Sequence, residues 1–550
     1  MPSIIRVCAK ITSDFGGSAA GSDARHVGGS VSSVILDRPR NNADDPAPPR
    51  PGGLRGFGSR TSLLLGQRPL RVSSLVEPRQ PAKSSAAKSE FIFARTLNRR
   101  KFLSRTSTAL GTILAAPALI PASAIGGNGI LPPSERVNMG FIGLGGQGTG
   151  HLLGGAWTYV TGGYIARKDV QVLAVCDVRK ERREYAGTRC NQIYAEKFGQ
   201  TGYSGVQTYN DFREVLARPD IEAVLLALPY HWAAPMATMA ARAGKDVYCE
   251  KPIAITVREG LHLVDTFRRY ARVYQAGTQQ RSEYGGKFRQ ACEWVRNGRI
   301  GQLKEVYAYR QPGAFYPARW TSNDSQPVPA GLDWDLWLGP HPWRPFAGEA
   351  GHALSGCFVG DVNWSPHHYD IIQWTVNPDP TALVEIQYEP SMDRSAGAAH
   401  PAGAAGRPED GQVHYHYSNG VVVHSMPYPN EPVGNDGGAC FVGTEGRIAV
   451  DRASIASYPT NILKAPLRPN DTRVEHVSGH SGNFLDCVRS RRQTICHPET
   501  AVRTIHAILT GGIAMALRRT LRWNPVKAEF VGDEQANRLL SYTPRPPWIL

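Results

Sequence analysis

A short apolar run, Val137 to Ile142, passes directly into Gly143-x-Gly145-x-x-Gly148 and then into a helix-compatible segment, in the stretch RVNMGFIGLGGQGTGHLL. That order constrains the fold more than any other feature of the chain. A strand, a glycine turn and a helix opening on it form a dinucleotide-binding unit. The first glycine permits the tight turn, the second lets backbone approach a pyrophosphate, and the third lets helix and strand pack closely, with phosphates at the helix N-terminus. Gly146 and Gln147 complete the loop. A second strand, VQVLAVCD, ends in Asp177, where a carboxylate can accept hydrogen bonds from ribose hydroxyls. The spacing exceeds the usual ~20 residues, and GGAWTYVTGGYIARKD reads as an insertion in the first crossover. Asp177 favours NAD by repelling a 2′-phosphate, while Arg179 softens the preference, so NAD is the expected cofactor and NADP is admissible.

Strand and helix patterns go on alternating through EAVLLAL and PYHWAAPMATMAARAGKDVYCEKPIAIT. Such alternation predicts a doubly wound parallel sheet. Ligands gather at the carboxyl ends of its strands, where Gly143, Asp177, Pro229, His231, Glu250 and Lys251 all fall. Further on, LKEVYAYR, TALVEIQY, QVHYHYSNGVVVHSM and RIAVDR are strand-like and separated by Gly- and Pro-rich loops, as in antiparallel sheets. The expected architecture is therefore α/β: a Rossmann domain over 134–256, followed by an α+β domain over 257–550 with a large, mostly antiparallel open sheet. The final segment of the second domain is expected to pack back on the first.

Charge sorts the remainder. The chain carries 62 Lys+Arg against 47 Asp+Glu, a net +15. Residues 1–124 hold 18 basic and 7 acidic residues, leaving 44 and 40 for the rest. The basic character thus belongs to the leader, and nucleic-acid binding by the folded part is not expected. Residues 1–96, rich in Ser, Gly, Pro and Arg, lack a sustained apolar period and read as disordered or as upstream sequence. Within 97–124, Arg99 and Arg100 precede a mildly apolar stretch and a small-residue site at Ala122-Ser123-Ala124. This looks like a twin-arginine signal, which implies a periplasmic protein without a stable membrane anchor. The nine cysteines show no CxxC pair or regular framework.

GxGxxG, LPYHW, CEKP, AGTQQRS and NWSPHHYD in this order, with the ending FVGTEGRIAV and LRWNPVKAEFVGDEQANRLLSYTPRPPWIL, resemble the Gfo/Idh/MocA oxidoreductases across residues 134–550, in an exported bacterial branch. The resemblance implies a carbohydrate substrate between the domains and a homo-oligomer assembled through the second sheet. In NWSPHHYD, Ser365 and Pro366 read as the start of a helix carrying His367 and His368, whose side chains diverge by about 100°. A metal site needs three or four convergent ligands, and this segment supplies two, so none is expected even with His414 and His416 nearby. The resemblance selects His367 as general base and Lys251 as the donor to the reacting oxygen. Its Asp-x-x-x-His-x-x-Asp pattern falls on Asn363, His367 and Asp370. Asn363 departs from it, since an amide orients but carries no charge. Asp370 stands as a compensating carboxylate, or as a substrate or structural contact. Tyr309, Arg310 and Arg281 are further cleft candidates, and DWDLWLGPHPWRPF is expected to line the cleft. The leading reading is an NAD(P)-dependent oxidoreductase acting on a secondary alcohol of a sugar, cyclitol or glycoside. The alternatives are NAD-dependent glycoside cleavage through a transient keto-sugar, and a non-catalytic dinucleotide- or sugar-binding protein.

Overall fold

The computed structural model describes residues 131–155, 158–309, 325–348, 362–376, 383–390, 411–434, 437–477 and 479–549. The expected extension, the signal-like segment and Arg310 lie outside them.

Six short strands build the first sheet: β1 (Val137–Ile142), β2 (Val170–Cys176), β3 (Gln207–Tyr209), β4 (Ala223–Leu226), β5 (Asp246–Glu250) and β6 (Tyr274–Gly277). Their order is β3-β2-β1-β4-β5-β6, with every pairing parallel. The near-continuous apolar runs follow from this, because a parallel sheet is covered on both faces and every residue of β4 is buried. The strand order reverses between β1 and β4, which opens a crevice at their carboxyl ends. The sheet continues past residue 256 into β6, so the sequence-based boundary falls one strand early. Phe484 and Leu485, from much later in the chain, also pack into this core.

Helix α1 (Gly146–Leu153) opens directly on the glycine loop, and α2 (Lys180–Phe198) follows β2. Helix α3 (Ala233–Arg242) follows β4. Helix α4 (Val257–Tyr270) is set by a capping box in which Thr256 Oγ1 accepts from the Glu259 amide at 3.2 Å and Glu259 Oε2 accepts from the Thr256 amide at 3.2 Å. This cap fixes the chain just beyond Lys251.

Among the described residues the second sheet has nine strands: β7 (Leu303–Ala308), β8 (Leu383–Glu389), β9 (Gln412–Tyr417), β10 (Val422–His424), β11 (Ala439–Gly443), β12 (Arg447–Val450), β13 (Ile455–Tyr458), β14 (Leu521–Asn524) and β15 (Glu529–Phe530). Their order is β13-β12-β11-β7-β10-β9-β8-β14-β15. All pairings are antiparallel except β7 with β10. The short α5 (Trp334–Leu338) lines the crevice of the first sheet, while α6 (Ser365–Val376) and α7 (Pro498–Leu517) lie between the sheets, with α7 packed on both α4 and α6. By length and composition α7 could cross a membrane, but 78% of its apolar window is buried inside the protein. Its hydrophobicity is that of a core helix. The final segment brings Trp548 edge-on to Trp232, ring centroids 4.9 Å apart, and against Phe212.

Candidate active site

The glycine loop turns where β1 ends. Gly143 has φ +86°, and a Cβ there would lie 2.3 Å from the Ala227 carbonyl oxygen; a Cβ on Gly148 would lie 1.8 Å from the Gly143 oxygen. Both positions therefore exclude a side chain on packing grounds alone. Gly145 and Gly146 differ, since a Cβ would meet only Arg182 Nη1 at 3.6 Å in the first case and nothing within 4 Å in the second. The open space beside Gly145 belongs to a cleft of about 240 Å³ lined by Gly143, Gly145, Asp177, Arg182, Pro229 and Trp337, among others, while Gly146 is exposed. Gln147 sits half-buried in the first turn of α1. A loop that is packed shut behind and open in front fits a dinucleotide, whose pyrophosphate would lie against Gly145 and Gly146.

Asp177 has a second duty that the sequence does not announce. Its Oδ2 accepts from the Leu144 amide at 2.7 Å and its Oδ1 from the Arg179 amide at 2.8 Å, so it holds the glycine loop in shape. Burial pushes its carboxyl up, against these amides and the nearby Arg182 and Arg179 guanidinium groups.

Two residues expected at the cofactor stand behind the cleft wall instead. Glu250 is buried, and its Oε1 meets His151 Nε2 at 2.7 Å and Gln279 Nε2 at 2.8 Å. Burial pushes this carboxyl up, but the His151 hydrogen bond together with the charges of His151, Lys251 and His480 outweighs it and holds the group below the usual carboxylate range. Successive side chains of a strand point to opposite faces, so Glu250 turns inward while Lys251 turns out. His231 donates from Nε2 to the Trp337 carbonyl at 2.9 Å, and burial pushes its imidazole down to about 3, keeping it neutral.

At the carboxyl end of β5 the expected catalytic residues meet. Lys251 Nζ donates to Asn363 Oδ1 at 2.5 Å, joining groups 112 residues apart. One turn beyond Asn363, His367 is buried at the start of α6, and its Nδ1 has no hydrogen-bond partner among the described residues. Burial first, then the Lys251 and Arg452 charges, depress its basicity well below the ordinary imidazole value. Its backbone is held by Gln280, whose Nε2 donates to the His367 carbonyl at 2.9 Å and to the Gly437 carbonyl at 2.7 Å. His368 diverges as helical geometry requires and donates from Nδ1 to the Gly438 carbonyl at 3.0 Å.

Asp370 does not join this group. Arg281 grips it with two bonds, Nε to Oδ2 at 2.7 Å and Nη2 to Oδ1 at 2.8 Å, and Thr504 adds a third at 3.2 Å. The two side chains are 5% and 1% exposed, so the expected catalytic carboxylate and the expected cleft arginine form a buried ion pair. Tyr309 is partly exposed and contributes nothing to the cluster.

Sequence reasoning missed a ring of groups around His367. Arg452 lies over the Trp364 ring at 4.8 Å and the Tyr284 ring at 5.2 Å, and its Nε donates to Gln280 Oε1 at 3.0 Å. Trp364 stands 6.0 Å from the His367 ring. The Tyr159 hydroxyl bonds that of Tyr284. Tyr159 belongs to the insertion in the first crossover and has φ +57°, a conformation that costs a non-glycine residue energy. That insertion was the available signal, because its length required a purpose.

Comparison with known proteins bears on this geometry. The Gfo/Idh/MocA model described as "Oxidoreductase family, NAD-binding Rossmann fold" matches residues 137–278, and that described as "Oxidoreductase family, C-terminal alpha/beta domain" matches 293–550. A "Glycosyl hydrolase family 109 protein" of Shewanella pealeana is 28% identical over 242 residues, 42% of this chain and 48% of that protein. An "Alpha-N-acetylgalactosaminidase" of Shewanella oneidensis is 28% identical over 197 residues, 36% of this chain and 38% of that protein. The chain thus spans less than half the length of these curated relatives. Among solved structures, the aldose-aldose oxidoreductase of Caulobacter crescentus is 17% identical with a TM-score of 0.44, covering 70% of this chain and 99% of that one. The scyllo-inositol dehydrogenase of Lactobacillus casei is 16% identical with a TM-score of 0.43, covering 70% and 98%.

Proposed function

This chain belongs to the Gfo/Idh/MocA oxidoreductase family, and from that premise we propose that it holds NAD and cleaves a glycoside by oxidising one sugar hydroxyl only transiently. The observation that carries this reading is the meeting of Lys251, Asn363 and His367 beside the cleft formed by the glycine loop. The names of the curated relatives, a family 109 glycosyl hydrolase and an α-N-acetylgalactosaminidase, favour cleavage over net oxidation.

Bound NAD supplies a hydride acceptor that gives the hydride back at the end of the cycle. His367, neutral and buried, takes the proton of the sugar hydroxyl as its carbon becomes a ketone. Lys251 stabilises the charge that develops on that oxygen. Its partner Asn363 is an uncharged amide that orients the ammonium without adding a negative charge, where an aspartate would add one. The ketone acidifies the neighbouring C–H, so a proton leaves that carbon, a C=C bond forms as the glycosidic C–O bond breaks, and the departing oxygen takes up a proton to leave as an alcohol. Water then adds to the double bond and the ketone is reduced again, for net hydrolysis. Trp364, Tyr284 and Tyr159 gather around Arg452 near His367, a cluster of aromatic and cationic groups suited to the apolar and hydroxyl surfaces of a sugar.

For the nucleotide we favour NAD, since the Asp177 carboxylate lines the cleft; Arg179 and Arg182 line it too and leave NADP admissible. Export by the twin-arginine route, proposed on Arg99 and Arg100, suits an enzyme that folds around a retained cofactor.

Incubating the protein with 4-nitrophenyl glycosides and substoichiometric NAD tests the reading. Nitrophenol should exceed the cofactor present, with no build-up of NADH. NADH accumulating up to the cofactor present, without nitrophenol release, would make the protein a dehydrogenase instead. The pH profile offers a second check. Because His367 acts only when neutral and its basicity is depressed, kcat/KM should hold its plateau as pH falls through ~6.5, the ordinary histidine value, and decline only below it. An acid limb at or above that value would remove His367 as the base.

A further inference from the structure

The dinucleotide cleft is bridged by a piece of the second domain. Residues 331–338, which include α5, run across the carboxyl ends of the parallel strands and contribute Leu336 and Trp337 to the cleft wall. On the β2 side they join the turn before α2. The Lys180 amide donates to the Gly331 carbonyl at 2.8 Å and the Asp333 amide to the Val178 carbonyl at 3.0 Å, so Arg179 and Leu332 form an antiparallel bridge. Asn210 Nδ2 adds a bond to Asp333 Oδ2 at 2.9 Å. On the β4 side, His231 Nε2 donates to the Trp337 carbonyl and Trp232 Nε1 to the Leu336 carbonyl, both at 2.9 Å. The Trp337 ring is stacked on Trp334, centroids 4.8 Å apart. Arg545, from the end of the chain, secures the outside with bonds to Gly339 O at 2.9 Å and Asp335 Oδ1 at 2.5 Å.

We propose that residues 331–338 form a strap that belongs to the dinucleotide site and retains the nucleotide through repeated turnovers, with Trp337 as a contact residue. The inference rests on the cofactor reading above. A segment joined to both banks of a cleft must release one bank before a nucleotide of this size leaves. Dissociation is then limited by undocking of the strap from its β2 bank, since the β4 bank is held by the buried His231 and Trp232. Retention is what a redox-neutral cycle requires, since the hydride must return to the sugar it came from. It also gives His231 a role: a buried neutral histidine behind the cleft serves as an anchor for the strap.

The bridge supplies its own test. The two flanking bonds make Arg179 and Leu332 a non-hydrogen-bonded pair, for which Cα atoms lie ~4.5 Å apart, within the ~4.4–6.8 Å range of disulfides. The double variant Arg179→Cys, Leu332→Cys is made in the full chain, loaded with NAD while reduced, and divided. One half is oxidised, with bond formation checked by thiol titration. Loss of bound NAD is then followed in both halves by chase with unlabelled nucleotide. The oxidised half should lose NAD at least tenfold more slowly than the reduced half, a comparison that holds the loss of the Arg179 guanidinium constant. Trp337→Ala, an independent arm, should lose it at least tenfold faster than the unaltered protein. Equal rates in the two halves, or unchanged release from Trp337→Ala, would overturn the strap and leave the cofactor reading standing. An unaltered protein that binds neither NAD nor NADP would overturn both.

Discussion

Lys251→Met lowers kcat/KM by ~10²–10³-fold, the usual loss when a donor to a developing oxyanion is removed, while NAD affinity stays within a few-fold of the unaltered protein. The split follows from position. Lys251 stands just past β5 and donates to Asn363, whereas the glycine loop and the strap build the nucleotide cleft. His367→Ala, which removes the base, loses ~10²–10⁴-fold with the same retention of nucleotide. Asn363→Asp separates orientation from charge. A carboxylate there still accepts from Lys251 but offsets the positive field that depresses His367, so its basicity rises and the acid limb of kcat/KM moves to higher pH. Steady-state kinetics across pH, beside calorimetric NAD titration, reads all three variants. If Lys251→Met turned over a confirmed substrate normally, the site would be misassigned.

The ease of reading this chain varied with the range of the interactions involved. From β1 to Gly148 the pattern is local: an apolar run, a glycine turn with Gly148 packed against Gly143, and a helix opening on it. The second sheet was legible as alternating strands, and the hairpin joining β9 and β10 falls within one quoted stretch. Side-chain direction at a strand end was not legible, because Glu250 and Lys251 are adjacent and equally polar, and only the packing of His151 and Gln279 turns one inward. Asp370 was misplaced for a related reason. Its spacing from His367 suggested a shared target, yet its partner Arg281 arrives from 89 residues upstream. Arg452 and the strap depend on contacts across still longer separations, and no periodicity in 331–338 signals that the segment bridges β2 and β4.

Asp370→Ala should destabilise the fold by ~3–5 kcal/mol, the cost of leaving one member of a buried ion pair without its partner. The Arg281 guanidinium would remain in a pocket where it is 5% exposed, facing Trp374 at 4.9 Å and having lost both carboxylate bonds. Asp370→Asn keeps the shape but removes the charge, and should lie between the two. Replacing both partners, Asp370→Leu with Arg281→Met, should recover much of the loss, because no buried charge is then stranded. Denaturant midpoints and thermal unfolding of the four proteins give the ordering. The same series decides what Asp370 is for. Helix α6 carries His367 in its first turn and Asp370 one turn later, and Arg281 lies just beyond β6, so the ion pair ties the base-bearing helix to the parallel-sheet side of the active site. A positioning role predicts that Asp370→Asn, assayed well below its unfolding transition, keeps kcat/KM within a few-fold and keeps the acid limb in place. If Asp370 instead shared the proton of His367, the variant would lose ~10²-fold or more in rate with little change in stability, and the limb would shift. The three bonds that already occupy its two oxygens favour the first outcome.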